Sequence, residues 1–180
     1  MGISNYVFTS DTEKLRRHLN SERAVLSKRP VELDSDNVRG EDIYSAFVAQ
    51  HKADAYLLYH VTSPFVATYY FEQAIQALED GHDSAYSVLE HKTFACYKDT
   101  ALNWSAPKLP RTQDLEPVYT MTSGFFAFTR ETFVRWGSRI GKNPKMIVVD
   151  QKAAIDIDYQ EDFLLATALL NVPIALKEQL

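Results

Sequence analysis

The chain has a single cysteine, Cys96, among 180 residues. This excludes an intramolecular disulfide and a zinc centre built on several thiolates. A reducing, cytoplasmic compartment is the expectation, and any metal sits on oxygen or histidine. Basic residues are also short: 19 Lys and Arg against 24 Asp and Glu leave a formal net charge of -5. Such a surface lacks the positive field that sequence-independent nucleic-acid binding needs, so no nucleic-acid partner is expected. Long hydrophobic runs are absent. The most apolar stretch, Phe163 to Leu176, is interrupted by Asn171 and Pro173 and is too short to cross a bilayer. Met1 to Tyr6 shows no basic flank leading into an apolar run, so no signal or transit peptide is read there. Neither a Gly-x-Gly-x-x-Gly fingerprint nor a Walker-type loop occurs, which disfavours dinucleotide oxidoreductases and P-loop ATPases.

What is present is ordinary globular composition, 46% apolar and 24% charged, and the length suits a single domain over residues 1–180. Tyr6-Val7-Phe8-Thr9 reads as a buried strand running into Ser10-Asp11-Thr12-Glu13, where a short polar side chain caps a helix. Glu41 to Gln50 carries apolar residues at helical spacing, and Ala55 to Tyr59 is an apolar run of strand length, expected to be central in the sheet. Thr62-Ser63-Pro64 breaks the pattern before a helix from Thr68, closed by Gly81. Short strands are expected near Ala85 to Leu89 and Phe94 to Tyr97. Residues 99–117 follow, a Pro-containing segment too long for an ordinary loop and expected to serve function or an interface. Gly124 to Phe128 resumes as a buried strand, then come a short helix from Thr129, a strand at Met146 to Val149, and a closing helix from about Gln160. Strand and helix alternate, so the class is α/β, with a mostly parallel sheet and helices on both faces.

In open α/β sheets ligands bind at the carboxyl ends of strands. Those positions hold Ser10-Asp11, His60 to Pro64, Thr122-Ser123 ahead of Gly124, and Asp156 with Asp158. Hydroxyls and carboxylates suit a phosphate-bearing or sugar ligand and a hard cation better than a hydride acceptor. Asp156 and Asp158 alternate along an extended segment, so both project on one side, with Ile155 and Ile157 buried on the other. Two such carboxylates can hold Mg²⁺. Equally, they can be solvated acids, or can cap the closing helix. His60 suits a sugar contact, a base, or a structural hydrogen bond. Thr62 and Ser63 either face a ligand or cap the next helix. Arg111, with Gln113 close behind, lies in the long connection, where an arginine grips a carboxylate or phosphate bidentately or is simply a surface residue.

Taken in order, several segments resemble one family. They are Val7-Phe8-Thr9-Ser10-Asp11, Arg29-Pro30-Val31-Glu32-Leu33 with Asp36, His60-Val61-Thr62-Ser63-Pro64-Phe65, Arg111-Thr112-Gln113-Asp114-Leu115, Thr122-Ser123-Gly124-Phe125-Phe126, and Ile155-Asp156-Ile157-Asp158 with Glu161-Asp162. The family is the acylneuraminate cytidylyltransferases, or CMP-nonulosonate synthetases. The resemblance implies a Rossmann-like nucleotidyltransferase fold that transfers CMP from CTP to a nonulosonic sugar acid, releasing pyrophosphate. Mg²⁺ is the implied cofactor, with Asp156 and Asp158 its ligands and catalytic acids. It also implies that Arg29 lies near the cytosine, that His60 stands where many members place a glutamine facing the sugar, and that Arg111, Gln113, Thr62, Ser63 and Ser123 contact substrate. A homodimer built around 99–117 is the implied assembly.

Two departures qualify the resemblance. Family members carry a strand, a phosphate loop and a helix ahead of the strand corresponding to Tyr6 to Ser10. The expectation is therefore an N-terminally truncated fold whose activity is impaired by the missing loop; the alternative is a catalytically silent interaction module. Val66 and Met121 stand where some members carry arginines, which points to an acid other than sialic acid itself. An Asp-x-Asp pair also occurs in sugar-nucleotide glycosyltransferases, but the Thr-Ser-Pro and Arg-Thr-Gln-Asp segments argue against them.

Overall fold

The computed structural model describes residues 4–19 and 24–171. The last residues of the Phe163 to Leu176 stretch lie outside that range. Strand β1 (Asn5–Thr9) leads into a short helix, α1 (Thr12–Arg16), whose first turn is capped by the Asp11 carboxylate accepting from the Lys14 N–H at 3.0 Å. Strand β2 (Ala24–Lys28), which no sequence signal had marked, pairs in parallel with β1. Helix α2 (Gly40–Gln50) follows, then β3 (Ala55–Tyr59), α3 (Thr68–Glu79), β4 (Ser84–His91), the small strands β5 (Cys96–Tyr97) and β6 (Thr100–Ala101), β7 (Val118–Thr129), α4 (Arg130–Trp136), β8 (Pro144–Val149) and α5 (Gln160–Leu170).

The main sheet has the order β3-β7-β4-β8. The expectation of a mostly parallel sheet holds for the shared direction of β3, β4 and β8 and needs one correction. Strand β7 runs antiparallel to both neighbours, so the ladder is mixed. Its continuous apolar run from Phe125 to Phe128 explains why it sits inside the sheet. Phe125 and Ala127 point to one face and Phe126 and Phe128 to the other, and all four are buried. On the first face they meet Tyr70, Ala74 and Ala77 of α3, and on the second Val48 of α2 and Phe133 of α4. Helices thus cover both faces, as the alternation of elements implied.

A second correction concerns β3. Among the described residues it pairs only with β7 and forms one edge of the four-stranded sheet. Its apolar run reflects cover from helices on both sides, Phe47 against Tyr56 and Phe71 against Tyr59, rather than two flanking strands. The β1-β2 ribbon reaches this core through α2: Tyr6 and Phe8 both pack edge-on against Phe47, and Ser27 Oγ lies 2.7 Å from His51 Nε2.

The connection 99–117 is not a free arm along its length. Strands β5 and β6 pair as a hairpin, and the Asn103 amide ties the segment down, accepting from Ala95 N–H and donating to the Thr93 and Glu116 carbonyls. No helix among the described residues is long and apolar enough to cross a membrane.

Candidate functional site

The direction of β7 decides how the site is assembled. Because β7 is antiparallel and Phe125 pairs with Tyr59, the preceding residues Thr122 to Gly124 extend past the carboxyl end of β3. There the His60 N–H donates to the Gly124 carbonyl at 3.2 Å. An irregularity in the β4-β7 register lies at the same level, between Tyr86 and Val88. Ser87, fully buried, fills it: its hydroxyl receives the Thr122 hydroxyl at 2.6 Å and the Phe125 N–H at 3.2 Å. A Cβ at Gly124 would stand 3.2 Å from both Ser87 Oγ and Val66 Cγ2, so glycine is needed for this close approach. Ser123, the predicted contact, flanks this point and is half-buried.

The Thr62-Ser63-Pro64 turn does not cap α3, whose N-cap is Ala67 with no side-chain bond. It is joined instead to the segment carrying the two aspartates. The Ile157 N–H donates to the Thr62 carbonyl at 2.9 Å, and the Ser63 hydroxyl, 1% exposed, points to Asp156 Oδ1 at 3.5 Å. The Tyr59 hydroxyl donates to the Ser63 carbonyl at 2.8 Å and fixes the turn from the strand side. Asp156 is half-buried and Asp158 exposed, while Ile155 and Ile157 are only half-buried rather than fully enclosed.

Capping of α5 falls to another residue. Asp162 Oδ2 accepts from the backbone N–H groups of Asp158 at 3.1 Å and Tyr159 at 2.9 Å. The carboxylates of Asp156 and Asp158 are thereby left out of the cap. No group of three or more His, Cys, Asp or Glu side chains among the described residues is arranged to hold a metal ion. Two hard oxygen donors without a third fit Mg²⁺, which keeps waters and substrate phosphates in its shell and is usually held by one or two carboxylates.

Arg29 lies just past the carboxyl end of β2, where its guanidinium pairs with Asp34. The Ser10 hydroxyl and Arg29 hold the Asp34 carboxyl below its ordinary value against a desolvation cost. Arg29 Nε is buried without a hydrogen-bond partner. Ser10, Arg29 and Asp34 therefore form a second polar cluster at the ends of β1 and β2. Arg111 and Gln113 are placed differently. Arg111 grips Asp114 through two bonds of 2.7 and 3.1 Å on an exposed 3-10 turn, and no hydrogen bond or ion pair among the described residues joins either one to the aspartates or to His60.

Sequence reasoning missed Glu41, Tyr44 and Arg139. Tyr44 Oη lies 3.1 Å from His60 Nε2; Arg139 covers the rings of Tyr44 and Phe126 at 5.2 and 4.2 Å from their centroids and pairs with Glu41 at 2.6 Å. The helical spacing of Glu41 and Tyr44 was visible, but Arg139 is 98 positions away, and nothing local announces the contact.

No family model matches the chain. N-acylneuraminate cytidylyltransferases of three Streptococcus agalactiae strains, of serotypes III, Ia and V, are 23% identical to it over 189 residues. The chain resembles the N-acylneuraminate cytidylyltransferases. The match takes in 96% of this chain and 44% of each relative, so the chain spans less than half the length of these relatives. A 4-diphosphocytidyl-2C-methyl-D-erythritol synthase from Anaerococcus prevotii superposes with a TM-score of 0.62 at 14% identity, over 93% of this chain and 78% of that one. A CMP:2-keto-3-deoxy-manno-octonic acid synthetase solved with CTP gives 0.62 at 15% identity, over 93% and 80%. The fold is the Rossmann-like nucleotidyltransferase fold of these cytidylyltransferases.

Proposed function

We propose that the chain carries out CTP-dependent transfer of CMP to a nonulosonic sugar acid. The observation that carries this reading is the junction of the Thr62-Ser63 turn with Ile155 to Asp158, which sets two carboxylates, neither engaged in capping α5, beside the carboxyl end of β3. In the reaction a sugar hydroxyl attacks the α-phosphorus of CTP. The new P–O bond forms as the bond to pyrophosphate breaks, and the hydroxyl proton is lost to solvent or a base. Such chemistry depends mainly on positioning and charge neutralisation. Mg²⁺, when bound, supplies that neutralisation on the phosphate oxygens, and Asp156 and Asp158 are the residues that would hold it. In this reading Ser63 orients Asp156, Arg29 and Ser10 contact the nucleotide, and His60 with Ser123 contacts the acid.

Exposed apolar side chains support the wider assembly we propose. Tyr97, Leu102 and Leu109 are 65%, 60% and 60% exposed along the 96–109 stretch, and a second copy of the chain covers them in the homodimer we propose.

Pyrophosphate release with CTP, Mg²⁺ and a panel of nonulosonic acids tests the reading, alongside calorimetry for CTP and for each acid. CTP-dependent release that needs both Mg²⁺ and an acid is expected. Absence of both release and CTP binding would overturn it.

A further inference from the structure

The β structure under α2 is interrupted. Ribbon β1-β2 and the ladder β3-β7-β4-β8 share no strand pairing among the described residues, although α2 packs on both. Phe47 touches each side: its ring centroid is 5.6 Å from that of Tyr6 and 5.3 Å from that of Phe8 in β1, and 6.2 Å from that of Tyr56 in β3. The two tyrosine rings therefore stand within about 12 Å of each other, which leaves room for one strand between β1 and β3 at about 4.8 Å per step and not for two. Helix α2 also gives the directions. Its end meets the start of β3, where the Tyr56 hydroxyl donates to the His51 carbonyl at 2.8 Å, and its first half meets the far end, where Tyr44 Oη is 3.1 Å from His60 Nε2. Along β1, Tyr6 lies against His51 and Phe8 against Phe47, which is the same sense. Strands β1 and β3 thus run parallel on either side of an open slot.

Backbone parity shows what faces it, because the N–H and C=O of one strand residue point to the same side and neighbouring residues alternate. The Arg29 N–H donates to the Thr9 carbonyl at 2.8 Å, so Asn5, Val7 and Thr9 turn to β2, and Tyr6 and Phe8 turn to the slot. On β3 the His60 N–H donates to the Gly124 carbonyl and the Asp54 carbonyl accepts from the Arg130 N–H, so the even-numbered residues turn to β7. Ala55, Leu57 and Tyr59 turn to the slot. Among the described residues the backbone groups of these five have no strand partner. The side chains along the slot are apolar on both faces. Tyr6, Phe8 and Tyr56 lie on the α2 side; Leu57 and Tyr59 lie on the other, with Tyr59 against Phe71 of α3. Tyr6, Leu57 and Tyr59 are left 37%, 40% and 39% exposed.

We propose that this slot is a docking site for an extended segment of a partner polypeptide, as long as the five-residue strands that flank it and apolar on both faces, which pairs with β1 and β3 at once and joins the two sheets. Two facing rows of N–H and C=O groups at strand repeat are satisfied together only by another backbone, which sets a small ligand aside. A second copy of the folded chain does not fit either. Every described strand is already paired along at least one edge, whereas the slot takes a strand free along both.

The probe is the peptide acetyl-Lys-Val-Ile-Ala-Val-Ile-Lys-amide, whose apolar core matches the length of β1 and β3 and whose lysine ends suit a chain of net charge -5. Calorimetry should show binding. In hydrogen exchange read by NMR, the amides of Tyr6, Phe8, Leu57 and Tyr59 should exchange freely in the chain alone and about tenfold or more slowly with the peptide bound. The same peptide N-methylated at alternate residues lacks the donors for one edge and should bind about tenfold or more weakly. Leu57→Pro removes an edge N–H that β7 does not use, so it should keep the β3-β7 ladder and lose peptide affinity by a similar factor. The N-methylated peptide keeps the test independent of how well that variant folds. Amides already protected in the free chain would show the slot to be filled by the chain itself. Binding that leaves the four amides unprotected, or that N-methylation does not weaken, would put the contact elsewhere. Either outcome, or no binding at all, overturns the proposal.

Discussion

At the residue scale, the division of labour among three neighbouring aspartates is the most direct prediction. The Asp162 carboxylate caps α5 through the backbone N–H groups of Asp158 and Tyr159, whereas the carboxylates of Asp156 and Asp158 do not take part in that cap. Asp162→Ala should therefore cost about 1 kcal/mol of stability, the usual price of a lost cap, and leave metal affinity within a factor of about two. Asp156→Ala and Asp158→Ala should behave oppositely, with unfolding midpoints near wild type and Mg²⁺ affinity in the presence of CTP reduced roughly tenfold or more. Unchanged metal affinity in both variants, read by calorimetry, would return the two acids to the surface. A second residue-scale prediction concerns Gly141. A Cβ there would overlap the Asp83 carboxylate, which is already held by the N–H groups of Lys142 and Asn143 at 2.6 and 2.9 Å and by the Ser84 hydroxyl at 2.9 Å. A carboxylate so fastened cannot swing aside. Gly141→Ala should destabilise the fold by about 1–3 kcal/mol in urea unfolding.

At the element scale, Asn103 decides whether 96–117 behaves as one unit. Its amide makes three hydrogen bonds to backbone groups at residues 93, 95 and 116. At about 1 kcal/mol each, Asn103→Ala should lower local stability by roughly 2–3 kcal/mol. Hydrogen exchange should show lost protection from 93 to 116 with the core helices unaffected; uniform loss across the chain would mean that the segment is part of the global unit. The elements also show what was legible in advance. Amphipathic spacing marked α2 and α3, the apolar run marked β3, and Thr129 and Gly137 bracket α4 as cap and left-handed terminus. Direction was not legible, because a strand buried on both faces reads the same whether its neighbours run with it or against it, and β7 is such a strand. Nor was β2, a five-residue ribbon partner with one buried position, Ser27. The site was half visible. Asp156, Ser63, Thr62 and His60 come together as their places after strands implied, whereas Tyr44 and Arg139 join them only through the fold, and Arg111 and Gln113 sit apart.

At the scale of the whole molecule, the proposed dimer predicts that light scattering at micromolar concentration gives twice the chain mass, and that Leu102→Glu with Leu109→Glu returns it to the monomer. A monomeric wild type would sink that assembly. The acid side of the stability curve is a further global property, and its sign follows from groups whose protonation differs between the folded and unfolded chain. Burial and Arg139 depress His60, with Asp156 opposing. For Asp83, burial raises the carboxyl, but the Asn143 N–H, the Ser84 hydroxyl and the Lys142 N–H together outweigh it and leave it depressed; Asp34 is also lowered, chiefly by Ser10. In each case the unfolded chain binds its proton at higher pH than the native protein does, so each contribution is complete above the unfolded value and is lost as pH falls. The histidine acts first, below about 6.5, and the carboxylates act below about 4. Melting temperature should therefore fall in two stages, one between pH 7.5 and 5.5 and a steeper one below pH 4. His60→Gln should flatten the first stage while keeping the second, and Asp83→Asn should lower the plateau while weakening the second. A wild-type melting temperature that rises between pH 7.5 and 5.5, or a first stage that persists in His60→Gln, would show that the imidazole beside Tyr44 and Arg139 does not control this part of the curve.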